Sequence, residues 1–203
     1  MDSMDQFLPR EMVFASTNRG KTAEVQRVAA RLGVRVVGLE AVTSAGGIGA
    51  KPEVAETECS YEGNALKKAR AYSAWLSRPC IVDDTGLEIE ALGGLPGVYT
   101  ANFGIARVRS LLIPEYRYPA RFVCCVVYAE PSGRCVSVTA TLGGTIRFPT
   151  SARDDGSGVP FSAYFIPDGA SESVSELNTR GDFLSHRGKA ITLLLSALRG
   201  STI

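Results

Sequence analysis

Apolar residues fall in short clusters separated by polar turns. Met12, Val13, Phe14 and Ala15 form an unbroken apolar run within residues 11–16, which predicts a short buried strand. Thr17-Asn18-Arg19-Gly20 follows as a turn. From residue 21 to 32, Val25, Val28, Ala29 and Leu32 share one face of a helix. Residues 34–39 return to a strand, and strand, helix, strand opens an α/β fold. Residues 43–60 are richer in Gly, Ser and Glu and read as loop. Ala65, Leu66, Ala69, Tyr72, Trp75 and Leu76 recur at helical spacing over 61–77, and Pro79 ends that helix. Cys80-Ile81-Val82 predicts a second buried strand, giving way to a turn at Thr85. A Gly/Pro cluster at 93–97 precedes a short helical segment near 104–112. Residues 121–130 and 135–147 read as long strands joined by a Pro131-Ser132-Gly133 hairpin. Ala190, Ile191, Leu194, Ala197 and Leu198 mark a last helix over 186–199. The pattern predicts an α/β fold: a two-lobed mixed sheet with long central strands, flanking helices and a ligand cleft between the lobes. One domain spans 11–199, behind a flexible segment at 1–10.

Charge narrows the function. The 203 residues hold 22 Lys+Arg, 21 Asp+Glu and one His, a formal net charge of +1. A general nucleic-acid binder needs a large basic excess, so any anion site here is local. The longest apolar run, Phe122 to Ala129, has eight residues, against about 20 for a membrane-spanning helix. The N-terminus lacks an apolar signal core, which predicts a cytoplasmic protein with no membrane partner. Cys59, Cys80, Cys124, Cys125 and Cys135 form no CxxC pair and read as reduced core residues. Cys124 and Cys125, adjacent in a strand, point to opposite faces. Their spacing and the lone His exclude a zinc site.

Four stretches carry candidate chemistry. Ser16-Thr17-Asn18-Arg19-Gly20-Lys21 lies between a strand and a helix, where free backbone N–H groups accept phosphate. Gly20-Lys21-Thr22 matches the end of a Walker A loop, but Ala15 stands where its leading Gly belongs. The other reading is a capped turn with a solvated lysine. Asp83-Asp84-Thr85-Gly86 puts two carboxylates at the end of a buried strand, where charge is costly unless compensated. Strand alternation sends them to opposite faces, whereas a turn at Thr85 brings both to one site; Mg²⁺ would offset the charge. The competing reading is an Asx-type turn. Glu56, Glu58 and Glu62 upstream are available as further ligands or as solvated carboxylates. Ser185-His186-Arg187-Gly188-Lys189 places cations at a helix start, against its dipole, which a phosphate or a nucleotide base would offset. A surface-exposed basic turn is the alternative. In the helix from Tyr61, Lys68 reaches inward while Lys67 stays solvated.

Together these blocks resemble the inosine/xanthosine triphosphate pyrophosphatase family over residues 11–199. The carriers are FASTNRGKTAEV, YEGNALKKA, IVDDTGLEIEALGGLPGVYTA, ARFVCCVVY and LSHRGKAI, in order. The resemblance implies a two-lobed α/β homodimer and Mg²⁺-dependent cleavage of non-standard purine nucleoside triphosphates (ITP, dITP, XTP) to monophosphate and pyrophosphate. It implies that Ser16, Thr17, Asn18, Arg19, Gly20, Lys21 and Lys68 hold the phosphates, and that Glu56 and Asp84 hold the metal, with Asp83 beside them. It makes Asp84 the general base as well. Thr85 would touch substrate, and His186 and Arg187 would face the purine. The sequence departs from the family on the base-reading side. The usual Gly-Phe-Gly-Tyr/Trp-Asp-Pro segment is Gly158-Val159-Pro160-Phe161-Ser162-Ala163, with Phe161 left to stack and Ser162 at the acidic position. A family lysine falls at Gly181, next to Arg180, and a Ser-Ala-Arg is Thr100-Ala101-Asn102. Two other readings stand beside this one: a Maf-like pyrophosphatase of other modified nucleotides, and a catalytically weak nucleotide-binding protein.

Overall fold

The computed structural model describes residues 9, 11–44, 49–150 and 161–200. Most of the predicted flexible N-terminus, and Gly158–Pro160 of the base-facing stretch, lie outside these. In chain order the elements are β1 (Glu11–Phe14), α1 (Arg19–Arg31), β2 (Arg35–Gly38), α2 (Leu39–Thr43), α3 (Tyr61–Leu76), β3 (Cys80–Ile89), β4 (Pro96–Gly97), α4 (Thr100–Phe103), α5 (Ile105–Ser110), β5 (Tyr118–Ala129), β6 (Cys135–Ile146), β7 (Phe165–Pro167), α6 (Val174–Arg180) and α7 (His186–Leu198). The chain divides into two compact units. The first holds Met1–Asp84, Cys124–Ala140 and Arg187–Ile203; the second holds Thr85–Val123 and Thr141–His186.

In the first unit the strands run in the order β2-β1-β3-β5-β6, and β1 is parallel to both its neighbours. Helices cover both faces. Met12, Phe14, Ile81, Cys124, Val126 and Tyr128 pack against Val25, Val28 and Ala29 of α1 and Ile191, Leu194 and Leu195 of α7. Val13, Cys80, Val82, Cys125 and Val127 pack against Leu39 and Val42 of α2 and Ala65, Ala69, Tyr72 and Leu76 of α3. Strands buried on both faces read as unbroken apolar runs, which is why β1 and β5 were legible. Each large side chain so buried contributes about 1.5–3 kcal/mol. Cys124 and Cys125 do lie in opposite layers.

One expectation fails in β3. The strand does not give way to a turn at Thr85 but continues to Ile89. Asp83-Asp84-Thr85-Gly86 has turn-like composition, yet Leu87 and Ile89 beyond it are fully buried and Leu87 and Glu88 pair with β4. Burial and ladder bonds outweigh local propensity. A second expectation fails at Cys59. It is exposed, in the polar loop before α3, while Cys80, Cys124 and Cys125 are buried and Cys135 half-buried; all five are free thiols.

The second unit packs Leu87, Ile89, Val108, Phe122, Leu142, Ile146 and Phe165 around the sheet segment β4-β3-β5-β6-β7. The short helical segment predicted near 104–112 is α5; Gly104, whose φ of 75° is left-handed, separates it from α4, which was not predicted. The strand β7 and helix α6 were not predicted. Thr100 ties β3 to the turn after β4: its hydroxyl accepts from Leu87 N at 2.9 Å and donates to Gly97 O at 2.6 Å. No helix among the described residues is long and apolar enough to cross a membrane.

Candidate active site

The persistence of β3 decides the geometry of the acidic pair. Residue alternation puts Asp83 on the Ile81 side, toward α1 and α7, and Asp84 on the Val82 side, toward α3. Both are 5% exposed. They are not gathered by a turn; each meets a different set of cations.

On the α1 side, Asn18 starts the helix. Its backbone is extended and its side chain accepts from Lys21 N at 3.0 Å. That cap fixes Lys21 in the first turn, where a cation opposes the helix dipole. Asp83 offsets the cost: Lys21 Nζ donates to Asp83 Oδ2 at 2.8 Å. The same oxygen accepts from Arg187 Nε at 3.1 Å, and Arg187 Nη1 donates to Glu24 Oε2 at 2.7 Å. Burial works against the charge on Arg187, but Asp83 foremost and Glu24 with it outweigh that and push its pKa further up. The guanidinium expected to face a purine is thus engaged by two buried carboxylates.

On the α3 side, Ser60 caps the helix by accepting from Gly63 N at 3.0 Å. Lys68, two turns in, points inward, and Lys67 points out to Thr57 and Glu58, as the spacing predicts. Lys68 Nζ donates to Glu56 Oε1 and Asp84 Oδ1, each at 2.9 Å, and to Asp83 O at 3.1 Å. Asn64, one turn before Lys68, reaches Asp84 Oδ2 at 3.5 Å and accepts from Glu58 N at 3.0 Å. Burial raises the Asp84 pKa above the ordinary carboxylate range; Lys68 pulls it back only partly, and Glu56 adds to the rise. Burial opposes the charge on Lys68 too, but Asp84 and Glu56 hold its pKa above the usual lysine value.

Of the residues singled out in the sequence, Lys21, Asp83 and Arg187 therefore meet, as do Glu56, Lys68 and Asp84. Asp83 joins the two sets, touching both lysines. Arg19 goes elsewhere, to Glu40 of α2 at 3.2 Å. Ser16, Thr17 and Arg19 line a cavity of about 280 Å³ with Gln26, Leu39 and Glu40. Ser16 Oγ accepts from Asn18 N at 3.2 Å, and Gly20 lies in the first turn of α1. Glu62 accepts from Ser137 and Glu58 pairs with Lys67, so Glu56 alone of the three upstream glutamates meets Lys68. In the second unit, the His186 ring stacks on Phe122 at 4.6 Å and 13°. Ser162 Oγ lies 2.9 Å from Ser175 Oγ, Phe161 packs half-buried against the core, and Thr85 is half-buried. Arg180 pairs with Glu172, and Gly181 ends α6 at φ 83°, where a lysine would be strained. Sequence reasoning missed Glu24 and Asn64. The signal was present: Glu24 lies three residues after Lys21, and Asn64 four before Lys68, each on its lysine's helix face.

The oxygen donors suit a hard cation. Glu56 and Asp84 already converge on one positive charge, and Mg²⁺ binds through one or two carboxylates, with water and phosphate oxygens completing its shell. Among the described residues no group of three His, Cys, Asp or Glu side chains is spaced to hold a metal, so a protein-only cage is not what these residues build.

Comparison with known proteins agrees with this reading of the fold. The profile of the Ham1 family matches residues 12–197. The dITP/XTP pyrophosphatase of Deinococcus radiodurans is 36% identical over 197 residues, 93% of this chain and 92% of that one. The Mycobacterium bovis protein of the same name is 36% identical over 206 residues, 95% and 97% of the two chains. Among solved structures, the Ham1 protein of Staphylococcus aureus matches with a TM-score of 0.68 at 28% identity, covering 94% and 98%. A Mycobacterium abscessus nucleoside-triphosphatase, or dITP/XTP pyrophosphatase, matches with a TM-score of 0.63 at 32% identity, covering 93% and 99%. With nearly its whole length matched, the chain belongs to the Ham1 family.

Proposed function

We propose that the protein hydrolyses non-standard purine nucleoside triphosphates (ITP, dITP and XTP) to the monophosphate and pyrophosphate. The observation that carries this is the meeting of two lysine ammonium groups on one residue. Lys21 from the start of α1 and Lys68 from α3 both touch Asp83, next to Asp84 and Glu56. Two cations from separate helices beside two strand carboxylates can neutralise a triphosphate while leaving a carboxylate to take a proton.

The loop from Ser16 to Lys21, with the backbone N–H groups at the start of α1, binds phosphate oxygens, and Lys68 binds from the other side of β3. Glu56 and Asp84 would hold Mg²⁺, which when bound would supply Lewis-acid neutralisation of the triphosphate. Asp84 accepts the proton of a water in line with the α-phosphorus. The new P–O bond forms as the bond from the α-phosphorus to its bridging oxygen breaks, and pyrophosphate leaves stabilised by Lys21 and Lys68. Thr85, Phe161, Ser162 and His186 are assigned to the nucleoside, with Arg187 steadying Asp83. The purine C6 oxygen suits hydrogen-bond donors, which would leave an adenine amino group poorly paired. A cytoplasmic homodimer that takes small nucleotides and no nucleic acid completes the reading.

The test is a panel of ITP, dITP, XTP, dUTP and the four ordinary triphosphates, with and without Mg²⁺, with products identified. Pyrophosphate and monophosphate from ITP, dITP and XTP, in the presence of Mg²⁺, are the expected result. Release of orthophosphate, or no turnover of any triphosphate, would overturn the reading.

A further inference from the structure

Lys68 has three N–H donors, and all three are spent. Two go to the carboxylate oxygens Glu56 Oε1 and Asp84 Oδ1 at 2.9 Å, and the third goes to the carbonyl of Asp83 at 3.1 Å. The Lys68 side chain is 12% exposed and the side chain of Asp84 opposite it 7%. A lysine so held has no donor left for a phosphate. It also occupies Glu56 Oε1 and Asp84 Oδ1, carboxylate oxygens that a divalent cation would bind. A divalent cation drawn to the same two oxygens would meet the ammonium at close range and be repelled by it.

We propose that Lys68 is a built-in occupant of the cation site. Its ammonium and a divalent metal are alternative partners of the Glu56–Asp84 pair, so that metal binding releases Lys68 toward the substrate phosphates. The proposal rests on the hydrolase reading and adds an order to it: the carboxylates change partner first, and the lysine is free to grip phosphate only afterwards. The exchange keeps a positive charge between two carboxylates at each stage, which spares the cost of leaving buried Asp84 uncompensated. Lys21 is the internal comparison. It is held by Asp83 Oδ2 on the other face of β3 and touches neither Glu56 nor Asp84 in the described contacts.

Two measurements without nucleotide test this. Mn²⁺ titration, followed by electron paramagnetic resonance, compares the parent with Lys68→Met, Lys68→Gln and Lys21→Met. Removing the Lys68 ammonium is expected to tighten Mn²⁺ binding about tenfold, and removing Lys21 to change it less than about twofold. In the parent protein, amine acylation read by mass spectrometry is expected to rise at Lys68 on adding Mg²⁺ and to stay constant at Lys21; this arm needs no variant to fold. Unchanged or weaker Mn²⁺ binding by both Lys68 variants, equal gains from Lys68 and Lys21 variants, or Lys68 acylation that stays flat or falls with Mg²⁺, would overturn the exchange. Because no substrate is present, these results are separate from turnover: absent pyrophosphate release sinks the hydrolase reading alone.

Discussion

Asp84 and Asp83 are neighbours in sequence with different surroundings. Asp83 has Lys21 and Arg187 on a single oxygen, whereas Asp84 shares Lys68 with Glu56, and burial raises its pKa. Asp84→Asn keeps the shape and removes the proposed base. Turnover is expected to fall by about 10²–10⁴-fold, with the thermal midpoint held near the parent's, because the ionised Asp84 is itself costly to bury. Near-parent turnover would take the proton from Asp84 and give it to another group. Glu24 is the opposite case. It touches no reacting atom in the proposed chemistry, yet it is one of the two carboxylates on a buried guanidinium. Glu24→Gln leaves Arg187 undercompensated and is expected to cost about 3 kcal/mol in urea unfolding; a loss below about 1 kcal/mol would mean that Asp83 alone suffices. The two residues also mark what the sequence disclosed. The aspartate pair is conspicuous, because adjacent charges at the end of an apolar run are costly to bury and stand out even beside the reading of an Asx-type turn. Glu24 is not, because a glutamate on an amphipathic helix is ordinarily solvated, and only its register with Lys21 betrays it.

At the level of elements, the long periodic segments and the short apolar runs of β1 and β2 were legible, whereas α2, α4, α6 and β7 were not. The helices α1, α3 and α7 each carry three or more apolar residues on one face, so pattern alone places them. The five residues of α2 and the three of β7 are too short to show a period, and their stability comes from what they pack against. The strand β3 misled for a related reason: its turn-like centre is overruled by ladder partners that no local window contains. The β6–β7 ladder has its own requirement. A Cβ on Gly144 would lie 2.3 Å from the carbonyl oxygen of Ile166 and 2.7 Å from the ring of Phe165, and neither can give way without opening the strand pair. Gly144→Ala is therefore expected to lose about 1–3 kcal/mol of unfolding free energy. Parent-like stability would show that the ladder relaxes at little cost.

For the whole chain, near-neutral charge has a specific consequence. The formal net charge is +1, so no broad basic field draws anions in. The local balance is no more favourable. Lys21, Lys68 and Arg187 bring three positive charges, and Glu24, Glu56, Asp83 and Asp84 bring four negative ones. A triphosphate meeting this cluster alone would be repelled on balance, despite two lysines suited to hold it. A divalent cation reverses the sign of the site and, through the partner exchange at Lys68, frees a donor at the same time. The affinity of a non-hydrolysable inosine triphosphate analogue is therefore expected to be weak in EDTA and to rise by about 100-fold or more with saturating Mg²⁺. Isothermal titration under both conditions reads this directly. Tight binding in EDTA would mean that the helix start and Lys21 suffice to hold the phosphates, and that the charges on Glu56 and Asp84 are already neutralised by their protein partners.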